Sequence, residues 1–556
     1  MTKRLLFDNL EHERPAKRSK RLRTDYLSQL SDELLLRILS FVSVSELCLT
    51  QRLSQRFNAV ASDAQLWKAL YYNRFVRPRA ARLPRLRDAE TAPGHLYFSS
   101  KLSKWLDEEN LVSKGKETDW KRQYKLRHNW SRGSCALSEI QVAEQPSVPP
   151  LLAKFHDGVV YTADSQGGLQ AWRTKRQRRL IANIHFAPAN RQGNLAPTSL
   201  AVDTQRAVSG AQRVLVGFSD GSFTVFELRQ DEGSFETLYR HPPSTNGTLS
   251  AVAYCSPYLL TMTASQLLSV YKFSTEPDDK RAQDVLNPPR LLCSLMSHTV
   301  WPPLALSIRP SSQNITASIA YAIPRYPRGW SVGIQEMRLT LEGDLIESRL
   351  ASSADDAFRP LARPSPASSS PSTRSSSPAS PSGSHDIYSK PTSLSYTHPY
   401  LLVSHPDNTL TLYLVTSTSS TLSISSGSRL WGHTSSVSSA HVGGRGKAVS
   451  VSSRGDELRV WELEGGMNSS ANRRRLISGE LSVQVRPEKK GVSGDKDLDS
   501  LSDAISQRGS GLGLALEAKL DDMSITKGWV GFDDENVVVL RERNRGSQTL
   551  VVYDFT

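Results

Sequence analysis

The sequence is poor in the residues that build covalently linked or metal-held structure. Only four cysteines occur in 556 residues, and no two of them form a CxxC pair. This spacing argues against a zinc site of the CxxC type and against a disulfide framework. The four cysteines are therefore expected to be buried free thiols, at Cys48, Cys135, Cys255 and Cys293.

Long apolar runs are also missing. No stretch approaches the ~20 apolar residues that a membrane-spanning helix needs, and the first residues lack the apolar segment of a secretory signal. We therefore expect a soluble intracellular protein. Because 38% of the residues are apolar, a chain of this length can bury more than one core.

Sequence signatures of catalysis are absent as well. There is no Gly-rich phosphate loop, no GxSxG elbow and no HExxH motif, and the 12 histidines are dispersed along the chain. The sequence thus indicates a protein that is not an enzyme and that holds neither a cofactor nor a metal.

The positive charge that is present lies in clusters. The formal net charge is +14, and basic residues crowd positions 14–23 and again 74–87. Residues 1–24 are expected to form a disordered basic tail. A nuclear import signal, a solvated tail and contact with nucleic acid all remain open, but no aromatic residues interleave with the first cluster, so nucleic-acid binding is the least favoured. We expect the protein in the nucleus, the cytoplasm or both.

Apolar residues at helical spacing begin at Leu30. The first predicted helix begins at Ser31, with acidic residues in its first turn, where the helix dipole favours them. A second helix is predicted from Ser45 to Val60, and a third after Asp63. Three short helices leave apolar surface that they cannot cover, so a partner is expected, although a plain helical bundle is the alternative.

The segment 25–75 resembles an F-box, the module that docks a protein onto the Skp-type adaptor of a cullin-RING ubiquitin ligase. Ser31 stands where the family most often has proline, and both residues suit a helix start. The matching features are Asp32-Glu33-Leu34, Ile38-Leu39, Arg56-Phe57 and Leu66-Trp67. This resemblance implies eight apolar positions divided between the motif's own core and adaptor binding: Leu30, Leu34, Leu35, Ile38, Leu39, Leu47, Leu66 and Trp67.

Residues 76–133 form a predicted linker that is partly helical. Trp120 and Tyr124 lie on one face of a predicted helix, which Asn129 is expected to end. The segment resembles the linker of F-box/WD-repeat proteins, where a helix ends in an Asn-Trp pair near a glycine.

From residue 134 to 556 the sequence changes to short alternating strands separated by Gly, Asp and Ser turns. Its clearest unit begins at Gly432-His433 and ends at Trp461-Glu462. This unit resembles one WD repeat. In such a blade His433 is expected to brace the turns and Trp461 to pack between neighbouring blades.

Weaker copies of this unit are found by their last hairpin, which ends near Trp172, Phe226, Tyr271 or Tyr413. Counting all copies gives about seven blades. The fold class predicted is therefore multidomain, with a small all-α F-box domain followed by an all-β WD-repeat propeller. A β-sandwich, or two smaller β domains, is the alternative.

The two ends of the array predict how the ring closes. The chain finishes on a third strand, and residues 134–142 form a strand without a blade of its own, so we expect the two to pair. Two disordered inserts are expected, near 355–390, which contains four Ser-Pro pairs, and at 484–522 inside the last blade.

The resemblance implies a non-catalytic substrate-recognition subunit of an SCF-type ligase. Its partners would be a Skp-type adaptor, through it the cullin and RING subunits, and a protein substrate. Arg454, on a turn of the clearest repeat, is a candidate contact for a phosphorylated substrate, because guanidinium groups bind phosphate bidentately. An ordinary turn arginine is the alternative at this position. The alternative function is a non-degradative WD-repeat scaffold, nuclear or associated with nucleic acid.

Overall fold

The computed structural model describes most of the chain in fifteen ranges. The basic tail, the second basic cluster beyond Arg77 and the Ser-Pro segment lie outside them. In the described residues, a first compact unit ends at Tyr124 and a second begins at Lys125. The described ranges are 26–27, 29–77, 118–175, 179–186, 195–203, 211–274, 286–296, 300–325, 329–353, 389–444, 446–455, 457–463, 470–487, 525–543 and 546–556.

The first unit is helical. Its described elements are α1 (Asp32–Leu39), α2 (Val44–Thr50), α3 (Gln55–Ala61), α4 (Ala64–Tyr71), a π-helical turn (Tyr72–Val76) and the first residues of α5 (Trp120–Arg132). As predicted, Asp63 begins α4, where its side chain accepts a hydrogen bond from the backbone N of Gln65 at 2.8 Å.

The single helix predicted from Ser45 to Val60 is wrong, because the chain forms α2 and α3 there. Ser43 begins α2, since its side chain and that of Glu46 complete a capping box. Ser54 begins α3 by accepting a hydrogen bond from the backbone N of Phe57 at 3.2 Å. The second serine cap thus divides one apolar run into two helices.

The second unit is a seven-bladed β-propeller, as the sequence predicts. After α5, β1 (Ser134–Ala143) precedes the first complete blade. Blade 1 contains β2 (Leu152–His156), β3 (Val159–Asp164), β4 (Gly168–Arg173) and β5 (Leu180–Ile184); blade 2 contains β6 (Pro197–Val202), β7 (Gln212–Phe218), β8 (Phe223–Arg229) and β9 (Ser234–His241); blade 3 contains β10 (Leu249–Cys255), β11 (Tyr258–Thr263), β12 (Leu267–Lys272) and β13 (Arg290–Met296).

The remaining blades are less regular. Blade 4 contains β14 (Trp301–Pro310), β15 (Asn314–Pro324), β16 (Trp330–Thr340) and β17 (Leu345–Ser352); blade 5 contains β18 (Ser393–Thr397), β19 (Tyr400–Ser404), β20 (Leu410–Ser417), β21 (Leu422–Ile424) and β22 (Ser428–Leu430); blade 6 contains β23 (Val437–Val442), β24 (Lys447–Ser452), β25 (Leu458–Glu462) and β26 (Ser482–Gln484); blade 7 contains β28 (Ile525–Phe532), β29 (Asn536–Glu542) and β30 (Gln548–Asp554), with β27 (Arg486–Pro487) beyond β1. In blade 5 two short strands, β21 and β22, both pair with the third strand, β20. Blade 7 uses β1 as its outer strand.

The antiparallel order of each blade defines two faces of the propeller. One face carries the turns between the first and second strands and between the third and fourth strands of each blade, and we call it the bottom face. The top face carries the turns between second and third strands and the connections from one blade to the next.

Ring closure occurs as the sequence predicts. β1 pairs antiparallel with β30, which places Leu137 opposite Tyr553 and Glu139 opposite Val551. The last blade thereby gains the outer strand that its own segment lacks, and its open edge is covered.

Successive residues of a strand point to opposite faces of the blade, and each face packs against a different neighbouring blade. The strands therefore carry apolar residues on both faces. Val537 and Val539 of β29 pack with Val449 of blade 6. Val538, between them, packs with Val160 of blade 1. The core of the ring is therefore a series of layers between blades.

A short helix, α6 (Ser470–Ile477), interrupts blade 6 between its third and fourth strands and was not predicted. Its Leu476 is buried against Leu430. The sequence assigned residues 484–487 to the second insert. In the structure Gln484 is the last residue of β26, Val485 joins the two strands, and β27 is formed by Arg486–Pro487. The rest of that insert follows blade 6 and precedes β28, outside the described residues.

The WD-like unit is held by a buried hydrogen-bond network. His433 Nε2 lies 2.5 Å from Ser450 Oγ, and the indole N–H of Trp461 donates to the same oxygen at 2.8 Å. Glu457 Oε2 lies 3.4 Å from His433 Nδ1. Because Trp461 and Ser450 are both fully buried, these bonds form out of contact with water, and His433 occupies the bracing position predicted for it.

Replacing Ser450 by alanine is expected to destabilise the propeller by about 1–3 kcal/mol, because the buried indole N–H loses its acceptor. Thermal and urea unfolding of the 556-residue chain measure this. Ser423→Ala, at an exposed position of β21, should change stability by less than about 0.5 kcal/mol. Equal effects of the two substitutions would contradict the assigned network.

Blade 5 carries a second buried histidine. His405 Nε2 lies 2.8 Å from Thr411 Oγ1, and the residue is almost completely buried. Burial lowers the pKa of His405 from 6.5 to about 4; Asp407 acts against this shift and Arg429 adds to it. The folded protein therefore holds this imidazole neutral.

The stability of the propeller should accordingly fall as the pH drops from about 6.5 towards 4. In this window the unfolded chain binds a proton at His405 that the folded chain does not, which costs about 1.4 kcal/mol per pH unit. Urea unfolding between pH 7 and 4.5 should show a shallower pH slope for His405→Gln than for the wild type. An unchanged slope would mean that His405 is protonated in the folded state.

Candidate partner-binding site

Exposed apolar side chains concentrate in the helical unit. Among the described residues, seven of the seventeen large apolar side chains classed as exposed lie between Tyr26 and Leu53. Isolated exposed leucines are ordinary, whereas a group of this density on a small module is typical of interaction surfaces.

The helix α1 divides its apolar residues between two directions. Leu35 and Leu39 are only 1% and 5% exposed. Leu34 and Ile38 are 53% and 43% exposed, and Phe41, just after the helix, is 75% exposed. Spacings of four and three residues put these last three on one side. We call Leu34, Ile38 and Phe41 the α1 apolar face.

Two further leucines are exposed on the following segment. Leu49 of α2 is 58% exposed, and Leu53, in the turn before α3, is 69% exposed. Neither was among the predicted adaptor contacts. Their only signal in the sequence is apolar character, which they share with core residues.

The eight residues predicted for adaptor binding differ in their exposure to solvent. Leu34 and Ile38 are exposed, and Leu30 is partly buried. The other five are buried within the helical unit, where they maintain its core. Adaptor contact thus remains a prediction for the three accessible residues, and a core role is assigned to Leu35, Leu39, Leu47, Leu66 and Trp67.

Polar contacts fix the start of α1. The guanidinium of Arg56, on α3, donates to Asp32 Oδ1 at 2.7 Å and to the carbonyl oxygen of Leu30 at 2.5 Å. The indole N–H of Trp67 donates to the carbonyl oxygen of Ala61 at 2.8 Å. These bonds connect α1, α3 and α4, so the α1 apolar face is presented by an ordered scaffold.

A group of aromatic rings supports the same unit. Tyr124 lies 5.4 Å from Trp67 and 5.3 Å from Phe75 between ring centroids. Trp120 lies 5.6 Å from Tyr71. The predicted pairing of Trp120 and Tyr124 on one helical face therefore serves to pack α5 against α4 and the π-helical turn.

The other end of α5 belongs to the propeller unit. Trp130 stacks on Phe555 at 4.0 Å between ring centroids, and its indole N–H donates to the carbonyl oxygen of Asp534 at 2.8 Å. The side chain of Asn129 donates to the carbonyl oxygen of Phe555 at 2.8 Å. The Asn-Trp pair of the linker is thus fixed on the bottom face.

The expected helix end at Asn129 is wrong, because α5 continues to Arg132. The helix ends where Gly133 adopts a φ of 71°, a conformation that glycine takes without strain. Asn129 uses its side chain for the propeller instead of for a cap.

Arg454 is exposed on a top-face turn of blade 6. The next residue, Gly455, has φ 73° and its carbonyl oxygen accepts a hydrogen bond from the guanidinium of Arg541, on blade 7. Arg541 also donates to the phenolic oxygen of Tyr553 at 2.6 Å. Sequence analysis missed Arg541 because nothing local connects it to a turn 86 residues away. A phosphate contact at Arg454 remains a prediction.

No cluster of His, Cys, Asp or Glu suited to a metal ion occurs in the described ranges. No disulfide joins the four cysteines, all of which lie in the described ranges. Cys135 and Cys255 are buried as expected, and Cys293 is only partly buried. Cys48 is exposed, contrary to the expectation, because its side chain leaves α2 away from buried Leu47. Within the part of the chain that the structure describes, none of the helices combines the length and apolarity needed to cross a membrane.

Comparison with solved structures returns chains of low similarity. The WD40 β-propeller domain of Doa1 is 11% identical, with 75% of this chain and 95% of that chain covered and a TM-score of 0.34. BamB from Moraxella catarrhalis is 10% identical, with 75% and 98% covered and a TM-score of 0.36. The Cps50 (Swd1) propeller domain of Myceliophteria thermophila is 9% identical, with 76% and 100% covered and a TM-score of 0.37. These values support no functional assignment.

Family comparisons are more specific. No curated protein sequence matches the chain significantly. The F-box-like family model matches residues 27–73, and that of the F-box protein pof12 beta-propeller matches residues 135–556. An F-box-like module followed by a propeller is the architecture of F-box substrate adaptors, which are typically non-catalytic and bind Skp-type proteins through the F-box. The chain belongs to the F-box protein pof12 beta-propeller family.

Proposed function

We propose that this chain is the substrate-recognition subunit of an SCF-type ubiquitin ligase. Its F-box-like module binds a Skp-type adaptor, and its propeller binds the protein that is ubiquitinated and then degraded. The observation that carries the proposal is the α1 apolar face, exposed on a module of the F-box-like family.

The energetics of this face suit a stable complex. Complete burial of a Leu, Ile or Phe side chain is worth about 1.5–3 kcal/mol. Leu34, Ile38 and Phe41 are about half exposed or more, so covering all three would contribute several kcal/mol. Such a contribution is typical of the central residues of a protein–protein interface.

In this proposal the chain contributes proximity, and ubiquitin transfer occurs on other subunits. Holding two reactants in one complex converts a bimolecular encounter into an effectively unimolecular step. The absence of catalytic signatures in the sequence agrees with that division of labour.

Affinity purification of the tagged chain tests the proposal, with and without proteasome inhibition. We expect the Skp adaptor and cullin to copurify with the wild type, and a protein partner to accumulate on inhibition. A folded wild type that recovers neither subunit would overturn the ligase role. Recovery of both subunits without any accumulating partner would favour the non-degradative scaffold.

We also propose that the chain resides in the nucleus, the cytoplasm or both, and that residues 14–23 act as an import signal. The support is the dense basic run at these positions. Replacing Lys17, Arg18, Lys20 and Arg21 by alanine should reduce the nuclear fraction of a fluorescently tagged chain several-fold. An unchanged distribution would contradict the signal.

A further inference from the structure

The outer strand of blade 4, β17, exposes apolar side chains to solvent. Among the described residues, ten of the large apolar side chains classed as exposed lie outside positions 26–53, and three of these ten belong to β17. Leu345, Ile346 and Leu350 are 43%, 53% and 63% exposed. Apolar side chains grouped in this way on one strand are typical of a surface that another protein covers.

The edge of β17 lacks the usual protection against strand pairing. No described strand pairs with its outer side, because the sheet of blade 4 ends there. Edge strands are commonly protected by lysine, proline or exposed charges. β17 contains neither lysine nor proline, and its buried Arg349 pairs with Glu336 at 3.1 Å and approaches Glu347 to 3.7 Å. By contrast β9, an outer strand of the same length, exposes Arg240.

The side chains of β17 alternate between the two sides of blade 4. Ala351 packs in the apolar layer shared with blade 5. Ser348 lies opposite Met337, which packs in the layer between blades 3 and 4. Ile346 and Leu350, two residues before and after Ser348, share that second side. The exposed apolar side chains therefore lie in one row.

The backbone of β17 can form a second ladder on its outer side. The N–H of Ser353 donates to the carbonyl oxygen of Val332 at 3.0 Å. Because the direction of hydrogen bonding alternates along an antiparallel strand, every second residue before Ser353 also bonds to β16. The N–H and C=O groups of Ser348 and Leu350 are directed outwards instead. These are the groups that another antiparallel strand would bond.

We propose that two copies of the chain associate by antiparallel pairing of their β17 strands about a two-fold axis at Ser348. In this register Ile346 of each copy faces Leu350 of the other, so four exposed apolar side chains form one stripe. Glu347 lies opposite Arg349 of the second copy. A shift of the axis by one residue would instead place Arg349 opposite itself, which is unfavourable.

The sequence of β17 is thus complementary to a second copy of itself, and the two blades join into one continuous sheet. The strand contributes few side chains, and stable interfaces bury at least about 1,000 Å². We therefore expect a reversible dimer with a Kd of about 10–100 μM. The association is independent of the proposed ligase role.

Sedimentation equilibrium of the 556-residue chain between about 1 and 200 μM, a range that brackets this Kd, tests the association. Leu350→Lys places a charge in the apolar stripe. Leu180→Lys is the matched control, because Leu180 is 40% exposed on β5, the outer strand of blade 1. Both leucines are exposed, so both variants should unfold at the wild-type temperature.

We expect the wild type and Leu180→Lys to shift from the mass of one chain towards that of two as concentration rises. Leu350→Lys should associate at least about tenfold more weakly, because an edge charge opposes strand pairing. A wild type that keeps the mass of one chain, or equal association of the two variants, would overturn the proposal. Association lost in Ile38→Glu but kept in Leu350→Lys would also overturn it, because the α1 apolar face would then be the interface.

Oxidative cross-linking tests the register, in a chain whose exposed Cys48 is replaced by serine. Ser348→Cys places two thiols at the two-fold axis, on Cα atoms about 5.5 Å apart, which is within disulfide range. Thr237→Cys is the matched control, at an exposed position of β9. We expect a yield of covalent dimer several-fold higher from Ser348→Cys. Equal yields would overturn pairing about Ser348.

Discussion

Replacing Ile38 by glutamate is expected to weaken binding of the Skp-type adaptor by at least about 100-fold, which corresponds to about 2.7 kcal/mol. Ile38 lies in the middle of the α1 apolar face and is 43% exposed. In the complex the new carboxylate would be buried against apolar atoms without a partner, which is costly. Titration of purified adaptor into the wild-type and variant chains measures the difference.

Because Ile38 is half exposed, a loss of adaptor binding by Ile38→Glu can be distinguished from unfolding of the helical unit. Substitution of a fully buried neighbour such as Leu35, 1% exposed, would remove core packing and mimic a binding defect. Gln65→Glu provides a matched control, because it adds the same charge at an exposed position in the first turn of α4. It should bind the adaptor like the wild type. Equal affinity of Ile38→Glu and Gln65→Glu would exclude the α1 apolar face from the interface.

The second large effect is expected at Glu336 in blade 4, where replacement by alanine should destabilise the propeller by about 3–5 kcal/mol. The Glu336 side chain is completely buried and pairs with Arg309 at 2.6 Å and with Arg349 at 3.1 Å. It also accepts a hydrogen bond from Ser417 of blade 5 at 2.6 Å. Without the carboxylate, two guanidinium groups would lose their shared counter-charge.

This network crosses an interface between blades, because Arg349 also donates to the carbonyl oxygen of Thr418 at 2.8 Å. Glu347→Ala is the matched control. Its carboxylate approaches the same Arg349 only to 3.7 Å and is 38% exposed, so its loss should cost less than about 1 kcal/mol. Urea unfolding of both variants measures the contrast, and similar costs would contradict the proposed importance of the buried carboxylate.

Features that depend on local spacing could be predicted from the sequence. A small helical module was predicted from apolar residues at helical intervals, and its F-box character from the resemblance to that family. The propeller was predicted from repeated hairpins that resemble WD repeats. Closure by residues 134–142 followed from counting strands, because a final blade with three strands leaves one edge unpaired. The bracing role of His433 was implied by the resemblance of its segment to a WD repeat.

Features that depend on tertiary packing could not be predicted in this way. Leu34 and Leu35 are adjacent and chemically identical, yet one is 53% exposed and the other 1%. Only the positions of the other helices decide which of them is covered. The serines that cap helices show the same limit. Ser43, Ser45 and Ser54 are the same residue type, but the local geometry makes only Ser43 and Ser54 the N-caps of α2 and α3.

Long-range pairs were beyond the sequence for a different reason. Arg541 reaches the turn beside Arg454 because blades 6 and 7 are neighbours in the ring, while the two residues are far apart in the chain. This arrangement has no signature in a single sequence.

The most direct test of the central claim is isothermal titration of a purified Skp-type adaptor into the purified 556-residue chain. The adaptor role predicts one adaptor per chain and a Kd below about 1 μM, equivalent to more than about 8 kcal/mol. Absence of binding at adaptor concentrations well above this value, by a chain whose helical unit and propeller are both folded, would contradict it.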